Sequence, residues 1–261
     1  MPNIEIPDII KSASDAAQDN LPATMQQTDG VLSTVVGFFN NVMLYPVQKA
    51  NWTFKYKLEN FKADLENKIN NIPAENLQKP PLMISGPTLD ALRYAYDEKE
   101  LREMYENLLA SSMDNRNNEF IQPSFVDAIR QMSPLDALIL KRLADLSRVM
   151  AAQVTFDIKN TNAVYTNEMP YLFVPELIHD DNPFAISTSI LNLSRLGFIV
   201  IIDGEIKERD YDSILQHPYV KERTILFNKF GREIKINKIN KAIFLNDYGK
   251  AFVNVCLENI E

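Results

Sequence analysis

Apolar residues recur at spacings of three and four along much of the first 150 residues. Phe54, Leu58, Phe61, Leu65, Ile69 and Ile72 place one stripe on one face of a helix expected over about 47–71, with Trp52 and Tyr56 off that stripe. Leu101, Met104, Tyr105, Leu108, Leu109 and Ser112 repeat at i, i+3, i+4, i+7 and i+8 and predict the clearest core-facing helix of the chain. Asp97-Glu98-Lys99-Glu100 opens it in a form close to a capping box. Ser133-Pro134 supplies an N-cap and a proline at the first helical position. The helix behind it is expected to reach about Met150, with Leu135, Leu138, Ile139, Leu143 and Leu146 facing inward. Shorter helices are predicted over 4–19, over 31–45, and after Pro123, where Phe125, Ile129 and Met132 carry the apolar face. Pro73, Pro80, Pro81 and Pro87 crowd one stretch and argue for an extended connector, with helix resuming at Thr88 through Leu89, Leu92 and Tyr96.

The pattern changes after about residue 150. Val154 to Ile158 alternates as a strand does. Ser187 to Leu196 predicts a helix stopped by Gly197 at the C′ position, and Phe198 to Ile202 predicts a strand. A short helix is expected over Asp210 to Gln216, and β-like segments at Ile234-Lys235-Ile236 and Ala242-Ile243-Phe244-Leu245. Asn246 then caps a last helix with Tyr248, Phe252, Val255 and Cys256 facing in. Helix, SILNLSRLGFIVI, a polar excursion and KAIFLNDYGKAFVNVCL resemble, in that order, a winged helix. In that reading the helix before Gly197 is the second of a helix-turn-helix and the two strands form the wing. The expected fold class is therefore mainly α: a helical bundle over 1–150, then a winged-helix-like α+β module over 151–261.

Charge sharpens this division. The 261 residues carry 27 Lys+Arg against 35 Asp+Glu, a net charge of −8, which disfavours a nucleic-acid polymer as partner of the whole chain. Residues 186–261 hold 11 cations and 10 acids, or +1, so the other 185 hold 16 and 25, or −9. One cysteine and two histidines exclude an intramolecular disulfide and an ordinary Cys/His zinc site. Seven glycines, and no P-loop, GxSxG, HExxH or paired CxxC, argue against the common NTPases and hydrolases. No catalytic residue, cofactor or metal is expected. The first 20 residues lack a basic segment followed by an apolar core, so no secretory signal is expected and a cytoplasmic location is. The apolar run Val31 to Tyr45, interrupted by Asn40 and Asn41, falls short of the roughly 20 residues of a bilayer span and reads as a buried or amphipathic helix.

Four groups of residues offer chemistry. Lys221, Arg223, Lys229, Arg232, Lys235, Lys238 and Lys241, against Glu222 and Glu233, net +5 over 21 residues. In or before a wing they are placed for phosphate contacts. The helix before Gly197 is poor in base-reading side chains, with Arg195 as its one cation. Asp97, Glu98, Glu100, Glu103 and Glu106 resemble a carboxylate cluster of the kind that holds Mg²⁺. Early acids also suit a helix dipole, however, and Glu103 and Glu106 fall at solvent-facing offsets, so a solvated face is expected. His179-Asp180-Asp181 and His217-Pro218 read as turns or caps, and Cys256 as a buried structural thiol.

PLMISGPTLDALRYAYDEKELREMYENLLASSMDNR, followed by QPSFVDAIRQMSPLDALILKRL, resembles the abortive-infection alpha family of bacteria. The features that carry the likeness are the Pro-rich lead-in, the acidic turn before LREMYENLLASSMD, and the Pro-Ser-Phe and Ser-Pro-Leu-Asp helix starts, over about residues 80–145. Upstream, a weaker likeness covers the long helix with Trp52. The family pattern has a histidine before Pro-Ser-Phe where this chain has Gln122, so no role for that histidine carries over. The resemblance implies a bacterial cytoplasmic phage-defence protein that acts by binding and conformational change. A protein partner or self-association is expected, with nucleic acid an option through the C-terminal module and the membrane disfavoured. The competing readings are a winged-helix DNA-binding regulator and a membrane-surface effector using Val31 to Tyr45.

Overall fold

A computed structural model of the chain describes residues 30, 52–159, 164–165, 168–177, 182–207, 209–229 and 233–257. The helices expected over 4–19 and 31–45 lie outside these residues, as does His179-Asp180-Asp181. The described part is mainly helical with one small antiparallel sheet. It divides into two compact units, Met1–Gln131 with Asn254–Glu261, and Met132–Val253.

The first unit is built from α1 (Trp52–Ile69), α2 (Leu82–Ala95), α3 (Lys99–Ser111) and α4 (Ser124–Arg130). The expected stripes are inside: Phe61, Leu65 and Ile69 of α1, Leu101, Met104, Tyr105, Leu108 and Leu109 of α3, and Phe125 and Ile129 of α4 are all buried. Two expectations fail here. Helix α2 begins at Leu82 and runs straight through Pro87. Pro87 lies on the exposed side of the helix, so the carbonyl it leaves without an N–H partner faces water. Gly86 before it carries no Cβ to clash with the proline ring. Helix α3 takes Glu98 as N-cap without a side-chain cap bond, and Asp97 instead pairs with Lys57 Nζ at 2.6 Å.

The second unit opens with α5 (Pro134–Leu146), whose start has the expected Ser133 N-cap and Pro134 at the first position, and Asp136 completes a capping box that was not expected. Ser133 Oγ accepts from the Asp136 N–H at 3.2 Å, and Asp136 Oδ2 accepts from the Ser133 N–H at 2.7 Å. The helix is shorter than expected, and Leu138 and Leu146 are exposed rather than inward. Ser147, at φ +61°, ends it and turns the chain directly into β1 (Arg148–Ile158). Then follow β2 (Val164–Tyr165), α6 (Pro183–Arg195), β3 (Ile199–Asp203), α7 (Ser213–Gln216), α8 (Pro218–Lys229), β4 (Ile234–Leu245) and α9 (Asp247–Cys256). Strand order is β2-β1-β4-β3, with Val149 opposite Ile243, Phe156 opposite Ile236 and Ile199 opposite Leu245.

The two β-like segments of the sequence are thus one twelve-residue strand, because the backbone ladder to β1 carries the polar residues between them. Helix α8 was not expected at all. It buries Val220 and Phe227 in a cluster with Phe156, Phe173, Tyr211 and Ile214. Helix α6 starts earlier than predicted, with Asn182 Oδ1 accepting from the Phe184 N–H at 2.9 Å and Pro183 at N1. It ends in a Schellman turn: Phe198 N–H donates to Leu193 O at 3.0 Å, Gly197 N–H donates to Ser194 O at 3.0 Å, and Gly197 sits at φ +83°. At the start of α9 a Cβ on Gly249 would lie 2.1 Å from Phe198 O, so only glycine fits that approach.

Candidate functional site

Helices α2 and α4 leave an open cleft of about 680 Å³ in the first unit. Met83, Pro87 and Asp90 line it from α2, at spacings of four and three that put them on one face. Pro123, Ser124, Val126, Asp127 and Arg130 line it from α4. Two of the stretches that carry the family likeness, the Pro-rich lead-in and the Pro-Ser-Phe start, therefore face each other across one concavity. Its floor is apolar, and its rim is of mixed charge, with Arg130 Nη1 3.6 Å from Asp127 Oδ1. Beside it Leu82 is 76% exposed and Met83 67%. A surface of this chemistry suits a peptide segment or an amphipathic ligand, with charged groups to fix orientation.

The middle of the motif, LREMYENLLASSMDNR, has another use. Most of its polar residues are consumed by the fold. Asn107 Nδ2 donates to Cys256 O at 3.0 Å, and Ser111 Oγ donates to Val255 O at 2.9 Å, so α3 holds the last carbonyls of α9. Lys68 Nζ of α1 donates to Asn107 Oδ1 at 2.6 Å. Ser112 Oγ donates to Leu109 O at 2.7 Å. Asp114 is buried and accepts from Arg116 N at 3.0 Å and from the Arg116 guanidinium. Burial pulls its carboxyl upward, but the Arg116 bonds outweigh that and hold it below the ordinary range.

Glu106 is the exception, and here the sequence misled. It is 2% exposed rather than solvated. Its Oε1 has no hydrogen-bond partner among the described residues, and Arg102 Nε stands 3.6 Å away without a partner of its own. Burial, and after it the charge of Asp64, raise the carboxyl from 4.5 to about 7, against the lowering pull of Lys68 and Arg102. Nothing in the spacing of α3 marks Glu106 as buried, because it lies on the flank of the stripe, where α1 packs. Arg102 is itself held, with Nη1 donating to Tyr96 O at 2.8 Å and its guanidinium 5.1 Å from the Tyr96 ring centre. Of the other four acids, Asp97, Glu98 and Glu103 are exposed as expected and Glu100 is half-buried.

The basic run of the second unit is split by its strand. Lys235 and Lys241 share one face of β4 and Lys238 takes the other. Lys238 is 12% exposed, with Nζ donating to Tyr211 O at 2.6 Å and pairing with Asp212 at 2.9 Å. Lys241 is 14% exposed and pairs with Asp203, its register partner on β3. Lys221 is exposed on α8, Lys235 is exposed opposite Asp157, and Arg223 is half-buried with its guanidinium 5.0 Å from the Tyr219 ring centre. Arg232 and the side chain of Lys229 lie outside the described residues. The outward stripe of α6 is Phe184, Thr188, Leu191 and Arg195, at i, i+4, i+7 and i+11. His217 is no mere turn residue. Its Nδ1 accepts from the Tyr219 N–H at 3.2 Å at the start of α8, and its ring meets Phe173 edge-on at 5.1 Å. Burial lowers its pKa. Cys256 is fully buried, which pushes its thiol well up, away from the reactive range.

No described helix is long and apolar enough to cross a membrane. Among the described residues, no three His, Cys, Asp or Glu side chains gather as metal ligands do. No curated protein and no solved structure matches the chain. The model of the family described as Abortive infection alpha matches residues 53–256, which include both walls of the cleft, the α3 motif and the sheet; the chain belongs to the abortive infection alpha family.

Proposed function

We propose that this protein serves abortive-infection-type phage defence in the bacterial cytoplasm by binding and conformational change: the α2–α4 cleft takes a peptide segment, and the second unit carries the response to a protein partner. The observation that carries this reading is the convergence of two family stretches on one open, apolar-floored concavity. The polar residues between those stretches are mostly engaged in internal bonds, which suits a scaffold.

In this reading the first unit is a helical bundle and the second a winged-helix-like module. The order α5, β1, α6, β3, β4 and the central strand order β1-β4-β3 support it. In this reading α6 is the recognition helix, and α7 and α8 are insertions in the wing. The outward stripe of α6 offers Phe184 and Leu191, side chains suited to a protein surface and unsuited to a phosphate backbone. Engagement of Lys238 and Lys241 by acids further weakens the nucleic-acid reading.

The test is a phage-plating assay with three forms of the chain. Wild type is expected to lower plating of at least one phage in a diverse panel. Met83→Arg with Asp127→Lys, both exposed in the cleft, is expected to abolish protection without changing thermal unfolding. Phe184→Asp with Leu191→Asp is expected to do the same through the second unit. Full protection by the cleft variant would overturn the assignment of the cleft. A gel shift at low salt that weakens on Lys221→Glu and Lys235→Glu would favour the DNA-binding alternative.

A further inference from the structure

Glu106 is a polar group that the motif's own bonds leave unserved. Its charged neighbours are Asp64 and Lys68 from α1 and Arg102 and Glu103 from α3. Arg102 is tethered, since Nη1 is spent on Tyr96 O and its guanidinium lies over the Tyr96 ring. Lys68, on a flexible four-carbon stem, holds Asn107 Oδ1, and the other end of that amide holds Cys256 O. Lys68, whose charge acts on the Glu106 carboxyl, is thus bonded through Asn107 to the carbonyl of Cys256 at the end of α9.

We propose that Glu106 is a proton-operated latch: neutral, it leaves Lys68 on Asn107 and the end of α9 fastened; ionised, it draws Lys68 away and frees that end. A buried carboxylate without a donor is strongly disfavoured, and Arg102 Nε, 3.6 Å from Oε1, is held back by the Tyr96 contacts, so ionisation calls on Lys68, the other cation whose charge acts on Glu106. With Lys68 gone, Asn107 Oδ1 is left unpaired, and the amide no longer has a fixed orientation in which to grip Cys256 O. Burial and the Asp64 charge place the transition at about 7, where small changes of cytoplasmic pH shift the population. This inference is independent of what occupies the cleft.

Cys256, the sole cysteine and fully buried, reports the latch directly. The experiment measures thiol labelling of the purified full chain from pH 6 to pH 8, divided at each pH by the rate on urea-unfolded chain, so that thiolate chemistry cancels. As the carboxyl goes from about one-tenth to about nine-tenths ionised, the corrected wild-type rate is expected to rise about ninefold. Glu106→Gln is expected to flatten the profile at the slow, fastened level. Asp64→Asn, which removes a like charge, is expected to keep the rise but move its midpoint to lower pH. A flat wild-type profile, or a rise that survives Glu106→Gln, overturns the proposal. If Glu106→Gln does not fold, an Asp64→Asn midpoint identical to wild type overturns it equally.

Discussion

The first unit buries a titratable side chain and the second half-buries one, and the two respond to protons in opposite senses. In the first unit Glu106 is driven upward to about 7 by burial and by Asp64, so the folded form prefers it neutral. In the second unit burial drives His217 downward, so the folded form also prefers it neutral, but for a base that means high pH. The difference lies in what each neutral group is given to do. His217 has a task in that form, because Nδ1 accepts a backbone N–H at the start of α8. Glu106 Oε1 has no hydrogen-bond donor among the described residues: Arg102 Nε stops 3.6 Å short while its Nη1 holds Tyr96 O, and Lys68 donates to Asn107. A capped histidine stabilises; an unserved carboxyl stores a response.

The largest expected effect comes from removing that response. Glu106 contributes stability that is full below about 4.5 and lost as pH rises through about 7. Glu106→Gln should therefore match wild type near pH 4 and exceed it above pH 8, by on the order of 3 kcal/mol. Denaturant unfolding at the two pH values checks this, and equal stabilities at pH 8 would break the comparison. Next is Asn107→Ala, which leaves the buried Cys256 carbonyl without its donor and should cost about 2 kcal/mol at pH 5, where the latch is fastened, and less at pH 8, where the bond is already released.

His217→Asn keeps a cap acceptor at all pH. Wild-type stability from this group is present above 6.5 and lost as pH falls through its lowered folded pKa. The variant should thus equal wild type at pH 7.5 and exceed it under acid by about 1 kcal/mol, the usual worth of a cap. Thermal melts at pH 5 and pH 7.5 decide it. Smallest of all, Lys238→Met and Lys241→Met should each change stability by under about 1 kcal/mol, because their partners Asp212 and Asp203 are largely exposed. A larger loss would mean that the strand relies on these pairs.

Local rules explain where the sequence was legible. The stripes of α1 and α3, the N-cap at Ser133 and the Gly197 stop all rest on interactions within one turn or one helix face. The cleft was legible only as two separate Pro-bearing stretches, with nothing along the chain to say they would meet. Charge runs were the least legible feature. Lys238 and Lys241 look alike in sequence but leave opposite faces of β4, and Glu106 looks like Glu103 but is covered by a different helix.

By itself, then, the sequence determined family, helical character and most inward positions, because periodicity and capping are written in neighbours three or four apart. Tertiary structure alone decided that β4 is one strand and that Pro87 sits inside a helix. It also decided that Glu106 is dry and that α2 and α4 enclose a cleft. Burial and strand pairing depend on residues tens of positions away, whose arrival no local pattern records.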